Sequence, residues 1–555
     1  MEKIRELPAF PVPPRFEGWR RAFNPFLLGE ITPDGSLRYR VRWRRVVSGC
    51  AIAALALHLS LSGVVFLAVR YQQGVATVDY LDFILPSRWP RVRTARGDHH
   101  IATAQKLVAN DQALPALLLV RVGVAESPGN RDGRLLLGQL LLEAGRPELA
   151  RQVLLDGIAF HHDDPDYLRP LLAFLFQNQR DAAIIALARK YLPLHPGTGE
   201  RDRLYLLAAA TAGYFRGNYD VAEDFLRAQP ALGESRDGRL LTAKMEWERG
   251  YHDLALLLLR DLAAALPDDA EIHGALVAHL DRAERSDEVR RCALAFQIAH
   301  PGLPGPRLEL LRAYQHAGER DRAAREIDAF VHDFASDASA LLELADLAAE
   351  TGDVPLALRL TEAARAKNFA WEPHAILAVE AQVVAHDFHG ALEAARDLLR
   401  TNPDWNARFG PVLGSLQAIA HFGLGDTESA NLLLTNYLNQ SYLRAENLLA
   451  IAQRLVDVGA AESARQTLIR AIAADPLNQA ALSRLVELDL NLNRIDELPA
   501  HLTRLLAMRQ PSPDILRVAQ HKLGSDLFLF SAERPAALES VRLALEKTAR
   551  VNPRL

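Results

Sequence analysis

Residues 250–267 read GYHDLALLLLRDLAAALP, in which Gly250, Ala255 and Pro267 mark the start, the anchor and the end of one unit. The anchor recurs every thirty-four residues as Ala255, Val289, Ala323, Ala357 and Ala391. In three of these five units a glycine lies five residues before the anchor, and in three a proline lies twelve residues after it. Two antiparallel helices pack closely where a small side chain faces the joint, a glycine ends the first helix and a proline stops the second. The stretch therefore predicts repeated helical pairs.

The register continues on both sides of this stretch with small shifts. A chance match would decay within one or two periods, whereas this pattern gives about thirteen units, far more than a stable stack needs. Two inter-repeat loops, around residues 196–202 and 403–410, are lengthened where the register slips. The further anchors are Ala116, Ala150, Ile184, Ala222, Ala430, Ala464, Leu498 and the pair Ala536 and Ala537.

The spacing and the residue types resemble the tetratricopeptide-repeat (TPR) family. One unit shows the pattern as Leu137-Gly138, Leu141, Gly145, Ala150 and Leu154. The resemblance covers roughly residues 97–550 and implies an all-α superhelical solenoid of about 12–13 helix-turn-helix repeats, placed at 97–555. Its fixed positions are packing positions, so the pattern indicates the fold and assigns no chemistry.

Composition and charge argue against a nucleic-acid-binding protein. The chain has 555 residues and a formal net charge of −5. Residues 1–45 hold ten Lys and Arg against five Asp and Glu, so the remainder carries 54 basic and 64 acidic residues, a net charge of −10. A repeat region this acidic is a poor match for a phosphate backbone. We expect no nucleic-acid partner.

The first hundred residues predict a membrane anchor. Residues 1–45 contain several prolines, end in five arginines around Trp43, and are interpreted as a poorly structured cytoplasmic segment. Residues 46–69 carry no formal charge and are long enough to span a bilayer, which places a transmembrane helix at 46–70. The arginines before it predict a cytoplasmic N-terminus and periplasmic repeats in a bacterial inner membrane. A cleaved signal peptide is the less favoured alternative, because the run is long and its leader unusually extended.

Residues 71–96 are interpreted as a juxtamembrane connector. Its aromatic residues suit the membrane interface, while Pro86 and Pro90 are expected to break regular structure before the first repeat begins near Ala95. Within the span, His58 has no second polar group beside it in the sequence. We interpret it as a neutral histidine tolerated in a single span.

No motif supports catalysis, a cofactor or a metal site. The sequence lacks HExxH, GxxxxGK[ST], GxSxG and a GxGxxG at a strand-to-helix turn. The two cysteines, Cys50 and Cys292, lie far apart and form no metal-binding pair. The cluster from His161 to Asp166 falls at a turn between helices, where Asp is an expected cap and turn residue. We therefore predict a non-enzymatic protein without metal or cofactor.

The TPR resemblance implies a concave wall, built mostly from the first helix of each pair, that binds extended peptides or helices. Carried over by register, that wall would mix an aromatic anchor with basic residues in the middle units and acidic residues later, which suits peptide recognition. The alternative, equally supported, is that Trp247, Tyr214 and Phe215 fill the core between helices. The main candidates are Tyr214, Phe215, Lys244, Trp247, Glu248, Asp281, Arg282, Arg312, His316, Asp346, Glu350 and Glu380, and the outlying ones are Gln139, Glu143, Gln453, Asp457 and Glu487.

These patterns together predict a membrane-anchored TPR scaffold that mediates protein–protein interactions in the bacterial envelope. Secretion, polysaccharide export and envelope assembly are equally compatible settings. The alternatives are a docking or regulatory arm of an enzyme complex and a carbohydrate-binding protein of exopolysaccharide transport. The last of these requires exposed aromatic side chains along the groove.

Overall fold

The computed structural model describes residues 27–31, 37–41, 43–494, 496–509, 511–529 and 531–551. The chain divides into two compact units, Met1–Leu171 and Leu172–Leu555. After Val41 every regular element in the described part is helical, which confirms the predicted all-α class. Thirteen antiparallel helical pairs follow one another in this part, in agreement with the repeat count from the register.

A two-stranded antiparallel sheet precedes the helices, where the sequence predicted a poorly structured segment. Strand β1 (Leu27–Ile31) pairs with β2 (Leu37–Val41), with Gly29 opposite Tyr39. The alternation of apolar residues and arginines along β2 has the two-residue period of a strand. That period is the sequence signal for the strand, and the basic cluster by itself does not reveal it. Residues 1–26, with their prolines, lie outside the described residues.

The first unit contains the apolar helix and the first repeats. A π-helical turn (Ala68–Gln72) extends the apolar helix, and a single 3-10 turn (Pro86–Arg88) precedes the first repeat. Pro90 does not break this structure, because it lies in the first turn of a helix, where its missing N–H costs no bond. The helices are α1 (Trp43–Leu67), α2 (Tyr80–Ile84), α3 (Trp89–Ala109), α4 (Ala113–Glu126), α5 (Arg131–Glu143), α6 (Pro147–His161) and α7 (Pro165–Gln177), which continues into the second unit.

The second unit continues the pairs to the end of the chain. Two short helices, α11 and α22, lie in connections between pairs. Its helices are α8 (Asp181–Tyr191), α9 (Glu200–Phe215), α10 (Tyr219–Arg227), α11 (Pro230–Gly233), α12 (Arg236–Glu248), α13 (His252–Ala265), α14 (Ala270–Arg282), α15 (Ser286–Ala299), α16 (Pro304–His316), α17 (Arg320–Asp333), α18 (Ala338–Thr351), α19 (Val354–Ala366), α20 (Glu372–Val384), α21 (Phe388–Thr401), α22 (Trp405–Arg408), α23 (Gly410–Gly423), α24 (Thr427–Leu438), α25 (Ala445–Asp457), α26 (Ala461–Ala474), α27 (Gln479–Asn491), α28 (Leu498–Ala507), α29 (Pro513–Gly524) and α30 (Arg534–Val551).

The anchor residues lie in the joints between paired helices, as the register predicts. Each is on the second helix of its pair, which we call the B helix, and the first is the A helix. Ala116, Ala255 and Ala357 are fully buried, and even the larger Val289 is only 7% exposed. Side chains of this size let the helices approach closely, because a larger group would overpack the joint. The predicted repeat packing is therefore confirmed.

The turn between the A and B helices has one backbone geometry in the first twelve pairs. The glycine five residues before the anchor has a positive φ, for example 83° at Gly250 and 70° at Gly352. Units without glycine adopt the same left-handed conformation at the same position, including Glu284 at 56° and His386 at 59°. The conformation therefore follows from helix pairing, and glycine only lowers its cost.

Glycine at position 284 is expected to stabilise the protein. Glu284 is exposed, so its side chain contributes little packing that could be lost. A non-glycine residue in the left-handed conformation costs about 1–2 kcal/mol, whereas glycine costs about 0.5–1 kcal/mol in chain entropy. The free energy of unfolding of Glu284→Gly should therefore be higher by roughly 0.5–1 kcal/mol. Chemical unfolding of the full chain measures the difference. As a control, Glu362→Gly within the right-handed helix α19 should lose about 1 kcal/mol. A loss at both positions would contradict the explanation.

The second unit closes on itself at a contact between residues 176–216 and 477–509, which we call the seam. At its centre Arg509 donates from Nη2 to Asp181 Oδ1 at 3.1 Å and to Phe176 O at 3.0 Å. The Asp181 side chain is completely buried. The guanidinium carbon of Arg509 also lies 3.8 Å from the ring centre of Phe215. A buried carboxylate with a paired arginine thus joins residues 328 positions apart.

Backbone carbonyls extend the seam on both sides of this pair. Gln179 donates from Nε2 to Leu477 O at 3.0 Å, and Arg216 donates from Nη1 to Met508 O at 3.1 Å. The bonds end on main-chain oxygens, so they depend on the path of the backbone and leave no signature in sequence. About nine repeats separate the two sides, and the accumulated rotation between repeats brings them together.

Candidate partner-binding wall

The A helices lie on the inner side of the curve in the second unit. Successive A helices contact each other repeatedly, most extensively between α18 and α20, whereas such contacts between successive B helices are rare. Elements on the inner side of a curved stack approach more closely than those on the outer side. We call the solvent-facing side chains of these A helices the inner wall.

One row of the inner wall repeats at thirty-four residues and runs from Tyr214 through Glu248 and Arg282 to His316 and Glu350. Burial raises the pKa of Tyr214 to about 12, with Glu248 adding to the shift and Arg282 opposing it. Burial likewise raises the pKa of Glu248, again opposed by Arg282. Side chains from successive repeats therefore share one electrostatic environment. This part of the predicted wall is brought together by the fold.

Ion pairs link neighbouring positions on the same wall. His316 Nδ1 lies 3.8 Å from Asp281, and Arg312 lies 3.6 Å from Glu350. All four side chains are between 44% and 69% exposed, so these pairs are accessible and contribute little stability. Lys244 lies 3.8 Å from Glu271 on the next repeat.

A second row of the wall, running through Arg312, Asp346 and Glu380, is also spaced by thirty-four residues. Glu380 Oε1 lies 3.6 Å from Arg454 Nη2, which belongs to an A helix two pairs further on. Arg454 was absent from the predicted set, which included its neighbours Gln453 and Asp457. Gln453 stands in the same place relative to its anchor Ala464 as Glu380 does relative to Ala391, and Arg454 lies one position later. The thirty-four-residue rows therefore do not include Arg454, and only the curvature identifies it as a member of the wall.

Burial raises the pKa of Glu380 above its ordinary value of 4.5; nearby Asp346 and Glu350 add to the shift and Arg454 opposes it. The folded state therefore holds this proton more tightly than the unfolded chain. The protonated Glu380 side chain contributes most to the stability of the folded state below pH 4.5, and this contribution declines as the pH rises through the pKa of Glu380 in the folded protein. We expect Glu380→Gln to remove that decline. The stability of the variant relative to the parent protein should therefore increase between pH 4 and pH 7.

Thermal unfolding at several pH values measures this effect. Glu393→Gln, at an exposed position on the B helix α21, provides the control and should show no such trend. A difference between Glu380→Gln and the parent protein that does not change with pH would contradict the assigned proton affinity.

Trp247 is not available as an aromatic anchor for a partner. Its side chain is 8% exposed, and its ring stacks on His252 at 4.2 Å and meets His279 edge-on at 4.6 Å. Of the two interpretations of this residue, the structure therefore supports the core. An aromatic side chain at helical spacing has the same sequence pattern in either role, which is why only the packing distinguishes them.

Phe215 also has a structural role. It lies beneath Arg509 in the seam and meets Phe176 edge-on at a ring-centre distance of 6.1 Å. Tyr214 is half-buried and stacks on Tyr219 at 6.1 Å. Trp247 is buried, and the half-buried rings of Tyr214 and Phe215 pack against other side chains of the protein. These three positions therefore offer little of the exposed aromatic surface that a carbohydrate-binding groove requires.

The remaining sequence candidates lie apart from this group. Gln139 and Glu143 belong to the first unit and bond to each other at 3.0 Å. Glu487 pairs with Arg484 at 2.7 Å on α27. In the cluster from His161 to Asp166, the ring of His161 packs on Tyr167, while Asp164 pairs with Arg131 at 3.3 Å. The contacts of Gln139, Glu143 and Glu487 lie within single helices, and the Arg131–Asp164 pair links neighbouring repeats.

Two family models match the chain, and both describe a tetratricopeptide repeat. They match residues 107–173 and 308–370. A search of curated proteins finds no match.

Similar solved structures include several repeat proteins. A tetratricopeptide repeat protein from Parabacteroides merdae is 14% identical, with 42% of this chain and 91% of that chain covered and a TM-score of 0.32. The Pseudomonas aeruginosa pilF protein is 14% identical, with 40% and 99% covered and a TM-score of 0.27. A chain of the APC/C complex Cut9–Hcn1 is 12% identical, with 84% and 96% covered and a TM-score of 0.26. At TM-scores of this size none of them carries an argument about partners.

The thirty-four-residue anchors, the left-handed turns and the two family models describe the same repeats. Proteins built from such repeats bind other proteins, and the fixed positions of the repeat serve packing. The chain therefore carries tetratricopeptide repeats, arranged as an all-α solenoid.

Proposed function

We propose that this protein is a non-enzymatic, membrane-anchored scaffold that binds protein partners through the inner wall in the bacterial envelope. The observation that carries the proposal is the polar inner wall, on which charged side chains from successive repeats lie side by side. Its middle repeats mix the basic Lys244, Arg282 and Arg312 with the acidic Glu248 and Asp281, whereas the next repeats carry the acidic Asp346, Glu350 and Glu380. A partner segment with basic groups opposite this acidic stretch would complement it.

The anchor in this proposal is supported by the apolar helix. Among the described residues one helix, Trp43–Gln72, is long and apolar enough to cross a membrane by length and composition. Leu57 and Leu61 on that helix are 69% and 61% exposed, which is costly in water and favourable in lipid. The arginines before it favour a cytoplasmic N-terminus and repeats in the periplasm. An anchor would also raise the effective concentration of the scaffold near membrane-bound partners.

Reporters fused after Leu555 test the orientation. One reporter is active only in the periplasm and the other only in the cytoplasm. A periplasmic signal is expected. A cytoplasmic signal would overturn the envelope location and direct the search to cytosolic partners.

Photo-crosslinking tests the wall itself. A photoreactive residue at Arg282 or His316, both exposed on the inner wall, is expected to capture a defined protein in the bacterium that encodes the chain. Matched positions on B helices, Asp261 and Arg396, are exposed and should capture nothing specific. Equal capture from both sets would contradict binding at the inner wall. Capture of an enzyme would favour the docking-arm interpretation.

A further inference from the structure

The connector after the apolar helix folds back along that helix. Gly74, with φ +76°, turns the chain. Residues 75–89, which we call the elbow, then run beside the second half of α1. His58 Nε2 lies 2.9 Å from Ile84 O, and Tyr80 donates to Leu59 O at 2.7 Å. The sequence shows no polar side chain beside His58. The structure places a backbone carbonyl of the elbow there instead.

Polar side chains satisfy the carbonyls of the elbow one after another. Ser62 donates to Phe83 O at 3.4 Å, Trp89 donates to the same oxygen at 3.1 Å, and Arg70 donates to Val78 O at 2.9 Å. A connector in water could leave such carbonyls to the solvent. Irregular backbone within a membrane requires protein partners for them, because each unsatisfied group costs several kcal/mol in hydrocarbon.

The outward side of the elbow exposes several large apolar and aromatic side chains. Leu81 is 55% exposed, Leu85 is 40% exposed and Trp89 is 54% exposed. The face of α1 beside the elbow stays apolar, with Val64 65% and Leu67 54% exposed. Exposed apolar side chains are therefore present on both the helix and the elbow, where they alternate with the exposed polar residues Thr77, Asp79 and Ser87.

The charges of the elbow are compatible with such a position. Asp82, with its side chain 1% exposed, accepts a hydrogen bond from the Asp79 backbone N–H at 3.1 Å. It lies 3.6 Å from Arg88 and 3.8 Å from Arg91. Those arginines are 45% and 63% exposed, and long basic side chains can extend from an apolar surface to the headgroups.

We propose that the elbow is a second lipid-contacting element, buried in the bilayer leaflet on the side of the repeats. The inference rests on the proposed anchor. Counted from Val46, the roughly twenty residues that span a hydrocarbon core of about 30 Å end near Val65. Ile84, bonded to His58, therefore lies about 10 Å inside the core, and Trp89, bonded beside Ser62, lies near its edge. The occupant of the apolar surface of the elbow is lipid acyl chain. The first repeat helix, which begins at Trp89, is thereby held against the membrane.

Fluorescent labels on the full chain in phospholipid vesicles test this position. Cys50 and Cys292 are replaced by serine, and single cysteines are introduced as Leu81→Cys and Leu85→Cys for a polarity-sensitive label. Both positions are exposed, so labelling leaves the packing intact. We expect nitroxide-bearing lipids to quench both labels and aqueous iodide to leave them emitting.

Two controls separate the elbow from the anchor. Leu55→Cys lies in the middle of α1, 58% exposed, and Leu194→Cys lies in a loop of the second unit, 91% exposed. Lipid quenching is expected at residue 55 and iodide quenching at residue 194. Iodide quenching at residues 81 and 85, with lipid quenching kept at residue 55, would contradict the lipid contact of the elbow and leave the anchor supported. Iodide quenching at residue 55 as well would overturn the anchor and the elbow together.

Discussion

Replacing Arg509 by alanine is expected to open the seam of the second unit. The substitution leaves the carboxylate of Asp181 completely buried without its charge partner. Removing one member of a buried pair costs about 3–5 kcal/mol. Asp181 lies in the first turn of α8, where the helix dipole favours a negative charge, so we expect about 3 kcal/mol.

Hydrogen exchange and a distance measurement check the opening. A loss of about 3 kcal/mol corresponds to exchange of the α8 amides faster by roughly a hundredfold. Spin labels at the exposed positions Arg189 and Thr503, on opposite sides of the seam, should change from one narrow distance to a broad distribution. Arg400→Ala removes a pair whose members are 80% and 67% exposed and should have no such effect. Unchanged distances with a loss under about 1 kcal/mol would show that the seam stabilises little.

Replacing Arg465 by alanine is expected to destabilise the C-terminal repeats. Arg465, with its side chain 6% exposed, donates from Nε to Asp489 at 2.7 Å, and the Asp489 side chain is fully buried. Asp489 lies near the end of α27, where the helix dipole disfavours a negative charge. His501 continues to bond the other carboxylate oxygen at 2.5 Å. We expect a loss of about 3–5 kcal/mol, measured by chemical unfolding and by exchange in α26 and α27.

A double variant distinguishes the cost of an unpaired charge from a loss of packing. Combining Arg465→Met with Asp489→Leu replaces both charges with apolar groups. Such replacements are often neutral or stabilising, so much of the lost stability should return. If the double variant is as unstable as Arg465→Ala, the packing of the arginine side chain accounts for the effect and the buried charge does not.

The repeats were predictable because their signals are local. A small residue at the joint, such as Ala255, and a left-handed residue five positions earlier act within one helical pair and recur in each unit. Even the units without glycine, such as the one containing Glu284, follow the same geometry. The charged rows of the inner wall were predictable for the same reason, since Glu248, Arg282 and His316 follow the same period.

Sequence patterns could not distinguish the roles of the aromatic candidates. Trp247 and Phe215 have helical spacing that suits a groove as well as a core, and neighbours from other repeats determine the outcome. His252 and His279 enclose Trp247, while Arg509 covers Phe215 from almost three hundred residues away. Arg454 was missed because it lies one position after Gln453, outside the rows that the thirty-four-residue register defines.

The sequence by itself determined the helical pairs, their turns and their anchors, because each depends on residues within one thirty-four-residue unit. It also determined the apolar helix, whose length and lack of charge are properties of one segment. Only the tertiary structure decided the seam, the Glu380–Arg454 contact and the elbow. The first two depend on the small rotation between successive repeats, summed over two to nine of them, and no single unit encodes that sum. The elbow depends on side chains that donate hydrogen bonds to backbone carbonyls. Every residue has such a carbonyl, so no sequence pattern identifies the ones that are used.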